Sequence, residues 1–126
     1  MGIEARAESL PAILREMAKG LKALMFGESR ALAEMDSEIA VQADDLTELL
    51  VCWLNEVTYW CEKDNLVPAE FCISQLGKTG LRATVSGEPF DPMRHTVERQ
   101  VKSVTYHQAC LVETPEGWYA RVYVDL

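Results

Sequence analysis

The last quarter of the chain alternates apolar and polar residues on both sides of one turn, and this pattern constrains the fold most. Val101 to Glu113 is expected to run out, Pro115-Glu116-Gly117 to turn, and Trp118 to Leu126 to return as a long β-hairpin. Pairing Thr114 with Trp118 separates the two faces cleanly, because a shift of one residue would mix them. One face then collects the apolar side chains, namely Val104, Tyr106, Cys110, Val112, Trp118, Ala120, Val122, Val124 and Leu126.

This register makes one specific prediction on the polar face, which is that His107 lies directly across from Asp125. Asp125 is the penultimate residue, so its carboxylate is expected near the terminal carboxylate of Leu126. Two neighbouring carboxylates are hard oxygen ligands that favour a divalent cation such as Ca²⁺ or Mg²⁺. Calcium takes roughly six to eight oxygen ligands, so two carboxylates alone are too few. A solvated strand end is the simpler interpretation of this spacing.

Lys102 is the second unusual residue of this hairpin. Strict alternation places it on the apolar face beside Val104, so the side chain must reach out to solvent or a bulge must turn it over. An ammonium held near a cation or a phosphate would serve as an electrostatic contact. A solvated lysine at a strand end is the simpler interpretation of the pattern.

Two amphipathic helices precede the hairpin. The first is expected to begin at the N-cap Ser9 and to stop at Gly27. The second begins at Asp44 or Asp45 and ends at Asp64, with Asn55 and Glu56 on a solvated face. Its apolar residues recur at helical spacing: Leu46, Leu49, Leu50, Trp53, Leu54, Val57 and Trp60.

Four shorter strands are expected at residues 1–7, 37–43, 70–76 and 81–86. The segment 87–94 contains two prolines and a glycine, which predicts irregular backbone. The element order is therefore β-α-β-α-β-β-β-β. It predicts a single α+β domain over residues 1–126, in which two helices pack on a mostly antiparallel sheet.

Charge and composition exclude several functions. The formal net charge is −8, which disfavours a broad basic face for direct nucleic-acid binding and suits a basic protein partner or a cation. No apolar run approaches the ~20 residues of a membrane span, and the start lacks a signal-peptide layout, so the cytoplasm is the expected compartment. No P-loop, GxSxG or HExxH motif is present, and no nucleophile has an evident base.

A charged cluster accompanies the proline-rich segment, formed by Asp91, Arg94, His95 and Glu98. Irregular backbone that carries charged groups is a common place for sites. His95 is therefore a candidate metal ligand, with Asp91 and His107 as further accessory candidates. A surface loop histidine is the simpler interpretation of His95.

Four stretches together resemble the archease family: LLVCWLNEVTYW (Leu49–Trp60), GEPFDPMRH (Gly87–His95), VKSVTYH (Val101–His107) and the terminal VYVDL (Val122–Leu126). The similarity covers nearly the whole chain. It implies a protein cofactor of the RNA-splicing ligase that joins tRNA exon halves, promoting ligase guanylylation and repeated turnover. It also implies a bound divalent cation, typically calcium, with Asp125 and Leu126 as ligands and Lys102 as the residue that activates the partner.

The chain departs from the family pattern at its start. The family opens with a D-H-T-A-D-like motif whose aspartate supplies another metal ligand, and Met1-Gly2-Ile3-Glu4 resembles the residues just after it. The first strand is therefore expected to be short, and an exposed sheet edge invites self-association. Two other functions stay open, namely a chaperone or modulator of tRNA-modifying enzymes such as methyltransferases, and a small metal-dependent hydrolase centred on His107, Asp125, His95 and Asp91.

Overall fold

The computed structural model describes residues 1–126. Six strands and two helices follow one another as β1 (Gly2–Ala7), α1 (Leu10–Phe26), β2 (Met35–Gln42), α2 (Leu46–Lys63), β3 (Leu66–Leu76), β4 (Gly80–Pro89), β5 (Ser103–Thr114) and β6 (Gly117–Asp125). The order of elements agrees with the prediction. Neither helix is both long and apolar enough to cross a membrane.

The strands form two separate three-stranded sheets in which all neighbours are antiparallel. We call the sheet β1-β6-β5 the terminal sheet and the sheet β2-β4-β3 the middle sheet. Each helix contacts strands of both sheets. The α+β class is confirmed, with two sheets in place of the single expected one.

The helix ends follow the local sequence signals. The Ser9 hydroxyl accepts the Ala12 N–H at 3.2 Å, and Gly27 ends α1 with a φ of 60°. At α2 the N-cap is Asp45, whose carboxylate accepts the Glu48 N–H at 2.8 Å. These bonds satisfy backbone N–H groups that have no partner inside the helix.

Helix α2 is buried around most of its circumference, because it contacts both sheets and α1. Trp53 is fully buried, donates its indole N–H to the Leu14 carbonyl at 3.0 Å, and meets Phe71 edge-on at 6.2 Å between ring centroids. One side chain thus links α1, α2 and β3 and has its polar atom satisfied.

Strands β3 and β4 are longer than predicted. β3 begins at Leu66, and a bulge between Pro68 and Glu70 lets the sheet accommodate the proline. β4 continues past Ser86 to Pro89, so Gly87–Pro89 is regular rather than irregular. At Gly87 a methyl group would overlap the Val67 carbonyl oxygen, so the two strands approach as closely as they do only because this residue is glycine.

The predicted register of the C-terminal hairpin is wrong. Trp118 pairs with Glu113 rather than Thr114, and the turn has two residues, Pro115 and Glu116. Four residues of β5, Tyr106–Ala109, then bulge out opposite the single residue Val122 of β6. Between the bulge and the turn the two faces of β5 are exchanged relative to the prediction, so Leu111 is buried and Val112 is 45% exposed. Tyr106, inside the bulge, is 52% exposed.

Candidate functional site

The C-terminal end of the terminal sheet brings three of the candidate residues together. Lys102 directly precedes β5, and its backbone N–H donates to the Asp125 carbonyl at 2.8 Å. Asp125 ends β6 and pairs with Ser103, and Leu126 follows with half of its surface exposed. Lys102 and Asp125 are both exposed, so an ammonium and a carboxylate extend from the same end of the sheet.

Asn55 fixes the start of β5 from helix α2. Its side-chain amide donates to the Val104 carbonyl at 2.9 Å, and its side-chain oxygen accepts the Val104 N–H at 2.8 Å. Asn55 was expected on a solvated helix face, and this expectation is wrong because the outer edge of β5 lies against α2. The amide pairs with the strand edge as a neighbouring strand would, two residues beyond Lys102.

His107 does not lie across from Asp125, because Ser103 occupies that position. His107 is in the bulge and is exposed. The next residue, Gln108, has a φ of 57°, and its carbonyl accepts a hydrogen bond from the Arg121 guanidinium at 3.2 Å. The bulge adds three residues to β5, and this insertion separates His107 from the strand end that carries Asp125.

A second charged site lies at the end of β4, and its centre is Glu88. Glu88 is 2% exposed, and one of its oxygens accepts the Leu32 N–H at 2.6 Å. The Arg94 guanidinium forms a two-point ion pair with the same carboxylate, at 3.2 Å for one contact and shorter for the other. Glu88 thus ties Arg94, which follows β4, to Leu32 in the segment before β2.

Two of the predicted accessory residues belong to this network. His95 is 3% exposed, so it is not a surface loop histidine. Its Nδ1 accepts the Asp91 N–H at 2.9 Å, so its Nε2 carries the proton and donates to Glu88 at 3.3 Å. Asp91 accepts the Met93 N–H at 2.9 Å and contacts Arg94 at 3.3 Å. Both imidazole nitrogens of His95 are therefore engaged within the protein.

The sequence interpretation missed Glu88, although the residue lies inside the GEPFDPMRH stretch. Its position just after Gly87, six and seven residues before Arg94 and His95, is the one signal that would have suggested a partner for them. An acidic residue that extends a strand of alternating apolar residues is unusual unless it is paired. The structure supplies that pair.

The contacts in this network stabilise the charged forms of Glu88, Asp91 and Arg94. Arg94, followed by the Leu32 N–H, lowers the pKa of Glu88 from 4.5 to about 2. The Met93 N–H, followed by Arg94, lowers the pKa of Asp91, and Glu88 raises the pKa of Arg94. Hydrogen bonds to the charged form favour that form, so Glu88 stays ionised throughout the neutral range.

Acid is expected to remove the contribution of Glu88 to stability. The folded-state pKa of about 2 lies below the ordinary 4.5, so the contribution is present above pH 4.5 and lost as the pH falls through 2. The difference in unfolding free energy between the wild type and Glu88→Gln should therefore be constant near neutrality and shrink between pH 4.5 and 2. Urea titrations of both proteins across this range measure it. A difference that stays constant down to pH 2 would contradict the assignment.

The donors at the Lys102–Asp125 end suit a divalent cation in type but not in number. The carboxylates of Asp125 and of the C-terminus are the hard oxygen ligands that Ca²⁺ prefers. No group of three or more His, Cys, Asp or Glu residues in the structure is arranged to hold a metal ion. The chain's own side chains therefore do not complete a calcium site.

The same finding bears on the hydrolase hypothesis. Asp91 and His95 are bonded into the Glu88 network, His107 lies in the β5 bulge, and Asp125 ends β6. These four residues form no common metal-binding cluster. The arrangement expected for a small metal-dependent hydrolase is not found.

The chain is similar over its whole length to one protein family. The model of the Archease protein family (MTH1598/TM1083) matches residues 1–126. The chain is 31% identical over 126 residues to the protein archease of Methanosarcina acetivorans, which covers 97% of this chain and 86% of that protein. It is 35% identical over 117 residues to the protein archease of Methanopyrus kandleri, covering 90% and 84%.

Two solved structures share the fold. The solution structure of Methanobacterium thermoautotrophicum protein 1598 gives a TM-score of 0.75 at 24% identity, covering 99% of this chain and 91% of that one. The crystal structure of a Thermotoga maritima archease, described as a possible chaperone, gives a TM-score of 0.67 at 14% identity, covering 100% and 90%. At these identities the two likenesses bear on the fold alone.

Proposed function

Because the chain belongs to the Archease protein family, we propose that it is an accessory protein of an RNA-splicing ligase rather than an enzyme. In this role it promotes guanylylation of the ligase and repeated turnover, as the resemblance implies. The cytoplasm is the proposed compartment. The observation that carries the proposal is the joint presentation of Lys102 and Asp125 at one exposed end of the terminal sheet.

The chemistry of that end is electrostatic. An exposed lysine is a compact positive charge on a flexible stem, which can reach into a partner's cleft and contact a phosphate of the bound nucleotide. The hydrogen bond between the Lys102 N–H and the Asp125 carbonyl, together with the Asn55 pair at Val104, fixes the backbone from which this side chain extends. Lys102 is thus the proposed activating residue, acting on chemistry that the ligase itself performs.

A guanylylation assay tests the proposal. The purified chain is mixed with an RNA-splicing ligase, radiolabelled GTP and Mg²⁺, and covalent guanylate on the ligase is followed with time. We expect faster guanylylation and several rounds of RNA joining per ligase molecule. Rates equal to those of the ligase alone, at saturating concentrations of the chain, would argue against the proposed function.

A cation at the Lys102–Asp125 end is a separate proposal, with Ca²⁺ as the expected ion and Asp125 and the Leu126 carboxylate as its ligands. With two carboxylates and water completing the shell, binding is expected to be weak, at about millimolar affinity. Calcium titration followed by NMR should shift the Asp125 and Leu126 signals, and Asp125→Asn should abolish the shift. Equal binding by the Asp125→Asn variant would place the ion elsewhere.

A chaperone role for RNA-modifying enzymes such as tRNA methyltransferases is the second candidate. The Thermotoga maritima archease is described as a possible chaperone, and this description is the reason to test a chaperone role. Suppression of methyltransferase aggregation by the wild type and equally by a Lys102→Met variant would support this role. A requirement for Lys102 would favour ligase activation instead.

A further inference from the structure

The outer face of the terminal sheet is not covered by any other part of the chain. Both helices pack on the opposite face, where Ile3, Ala120, Val122 and Val124 are buried. The exposed face of the middle sheet has the small and polar side chains usual for a solvated sheet, with Ala40, Cys72, Ser74, Thr84 and Ser86 among them. The outer face of the terminal sheet differs, since it carries two tyrosines and two arginines: Arg6, Tyr119, Arg121 and Tyr123.

These side chains lie along the sheet in fixed positions. The Arg6 guanidinium is 4.8 Å from the centre of the Tyr119 ring, and the Tyr119 hydroxyl donates to Glu4 at 2.8 Å. A Cβ atom placed on Gly2 would lie 3.1 Å from Tyr123 Cε1, so the Tyr123 ring extends over the neighbouring strand. Rings already held in place lose little conformational entropy when a partner covers them.

The two arginines have no acidic partner within salt-bridge distance. The chain has 20 acidic and 12 basic residues. Arg82 and Arg94 do have acidic partners, since Arg82 contacts Glu38 and Arg94 contacts Glu88. Arg6 instead lies over Tyr119, and Arg121 donates to the Gln108 carbonyl. Both guanidinium groups therefore keep donors for carboxylates of another molecule.

The same face leads directly to the proposed activating end. Asp125 follows Tyr123 by two residues on β6, so its side chain points to the same side, and the Lys102 backbone N–H donates to the Asp125 carbonyl. We propose that the outer face of the terminal sheet is the surface that docks on the ligase, against a patch of carboxylates and apolar side chains beside the ligase active site. This inference rests on the proposed function and names the surface through which it operates.

A protein fits this face better than RNA does. Tyrosine and arginine are the residues most enriched at the energetic centres of protein interfaces. A polyphosphate would also have to approach a chain whose net charge is −8, which repels it.

The test separates docking from activation. Tyr123→Thr and Arg6→Ala are compared with Arg82→Ala, a matched control on the outer face of the middle sheet. Thermal unfolding of each variant shows whether the fold is kept, and Arg6→Ala serves if Tyr123→Thr is unstable. We expect Tyr123→Thr and Arg6→Ala each to raise the half-saturating concentration in the guanylylation assay about tenfold or more, with the maximal rate unchanged. Arg82→Ala should behave as the wild type.

Each other outcome counts against the inference. If the wild type activates the ligase and both face variants have unaltered half-saturating concentrations, the docking face is wrong while the proposed function stands. If the wild type neither binds nor activates the ligase, the proposed function fails and the inference with it. If the variants lose affinity for a single-stranded RNA oligonucleotide but not for the ligase, or lose a concentration-dependent dimer in gel filtration, the face serves RNA or a second copy instead.

Discussion

Replacing Glu88 with alanine is expected to lower the midpoint temperature of unfolding by about 10 °C or more. The change leaves the Leu32 N–H and part of the Arg94 guanidinium without the acceptor that the buried Glu88 carboxylate supplies. Unpaired buried polar groups cost far more than exposed ones. Glu38→Ala is the matched control. Glu38 also pairs with an arginine, Arg82, but both of these side chains are more than half exposed.

Circular dichroism melts of Glu88→Ala, Glu38→Ala and the wild type make this comparison. Glu38→Ala should shift the midpoint by no more than about 2 °C, because exposed ion pairs contribute little. Equal shifts in the two variants would show that burial does not strengthen the Glu88 network. In that case Glu88, Arg94 and His95 would hold the segment 88–95 no more firmly than a surface ion pair does.

Lys102→Met is expected to reduce the acceleration of ligase guanylylation by about 100-fold, the typical cost of removing one electrostatic group from a catalytic site. The variant keeps most of the length of the side chain and removes its charge. Because Lys102 is exposed and its structural hydrogen bond uses the backbone N–H, folding should be unaffected. The maximal rate falls in this variant, whereas the half-saturating concentration stays near that of the wild type.

Lys19→Met is the control for the loss of one positive charge. Lys19 lies on α1, is largely exposed and pairs only with Glu16. It should activate the ligase as the wild type does, with the same melting temperature. Full activation by Lys102→Met, at a concentration where the control also activates fully, would remove Lys102 from the proposed mechanism.

Much of the candidate site follows from the sequence, but its internal geometry does not. The sequence singles out Lys102 and Asp125, but the predicted register leaves Lys102 five residues away from the partner of Asp125, and only the observed register brings the two residues together. The partner of Asp125 does not follow, because the shorter turn shifts the register by one residue and the bulge at Tyr106–Ala109 shifts it by three more. Alternation alone favours an uninterrupted ladder, so it placed His107 where Ser103 lies.

The sequence by itself determined the features whose hydrogen bonds close within a few residues. The Ser9 and Asp45 caps, the stop at Gly27 and the apolar stripe of α2 are of this kind, since each is satisfied by its own segment. The order of elements followed from them. These local signals were enough to predict an α+β domain.

Only the tertiary structure decided the features that depend on partners distant along the chain. Asn55 bonds Val104 across 49 residues, Leu32 bonds Glu88 across 56, and Arg121 holds the bulge of β5. From the sequence alone, a polar residue is expected to face solvent, because the sequence pattern does not show which strand edge or charged group the fold brings into contact with it. The free energy of such groups depends on burial and pairing together, and both exist only once the two sheets have closed on the helices.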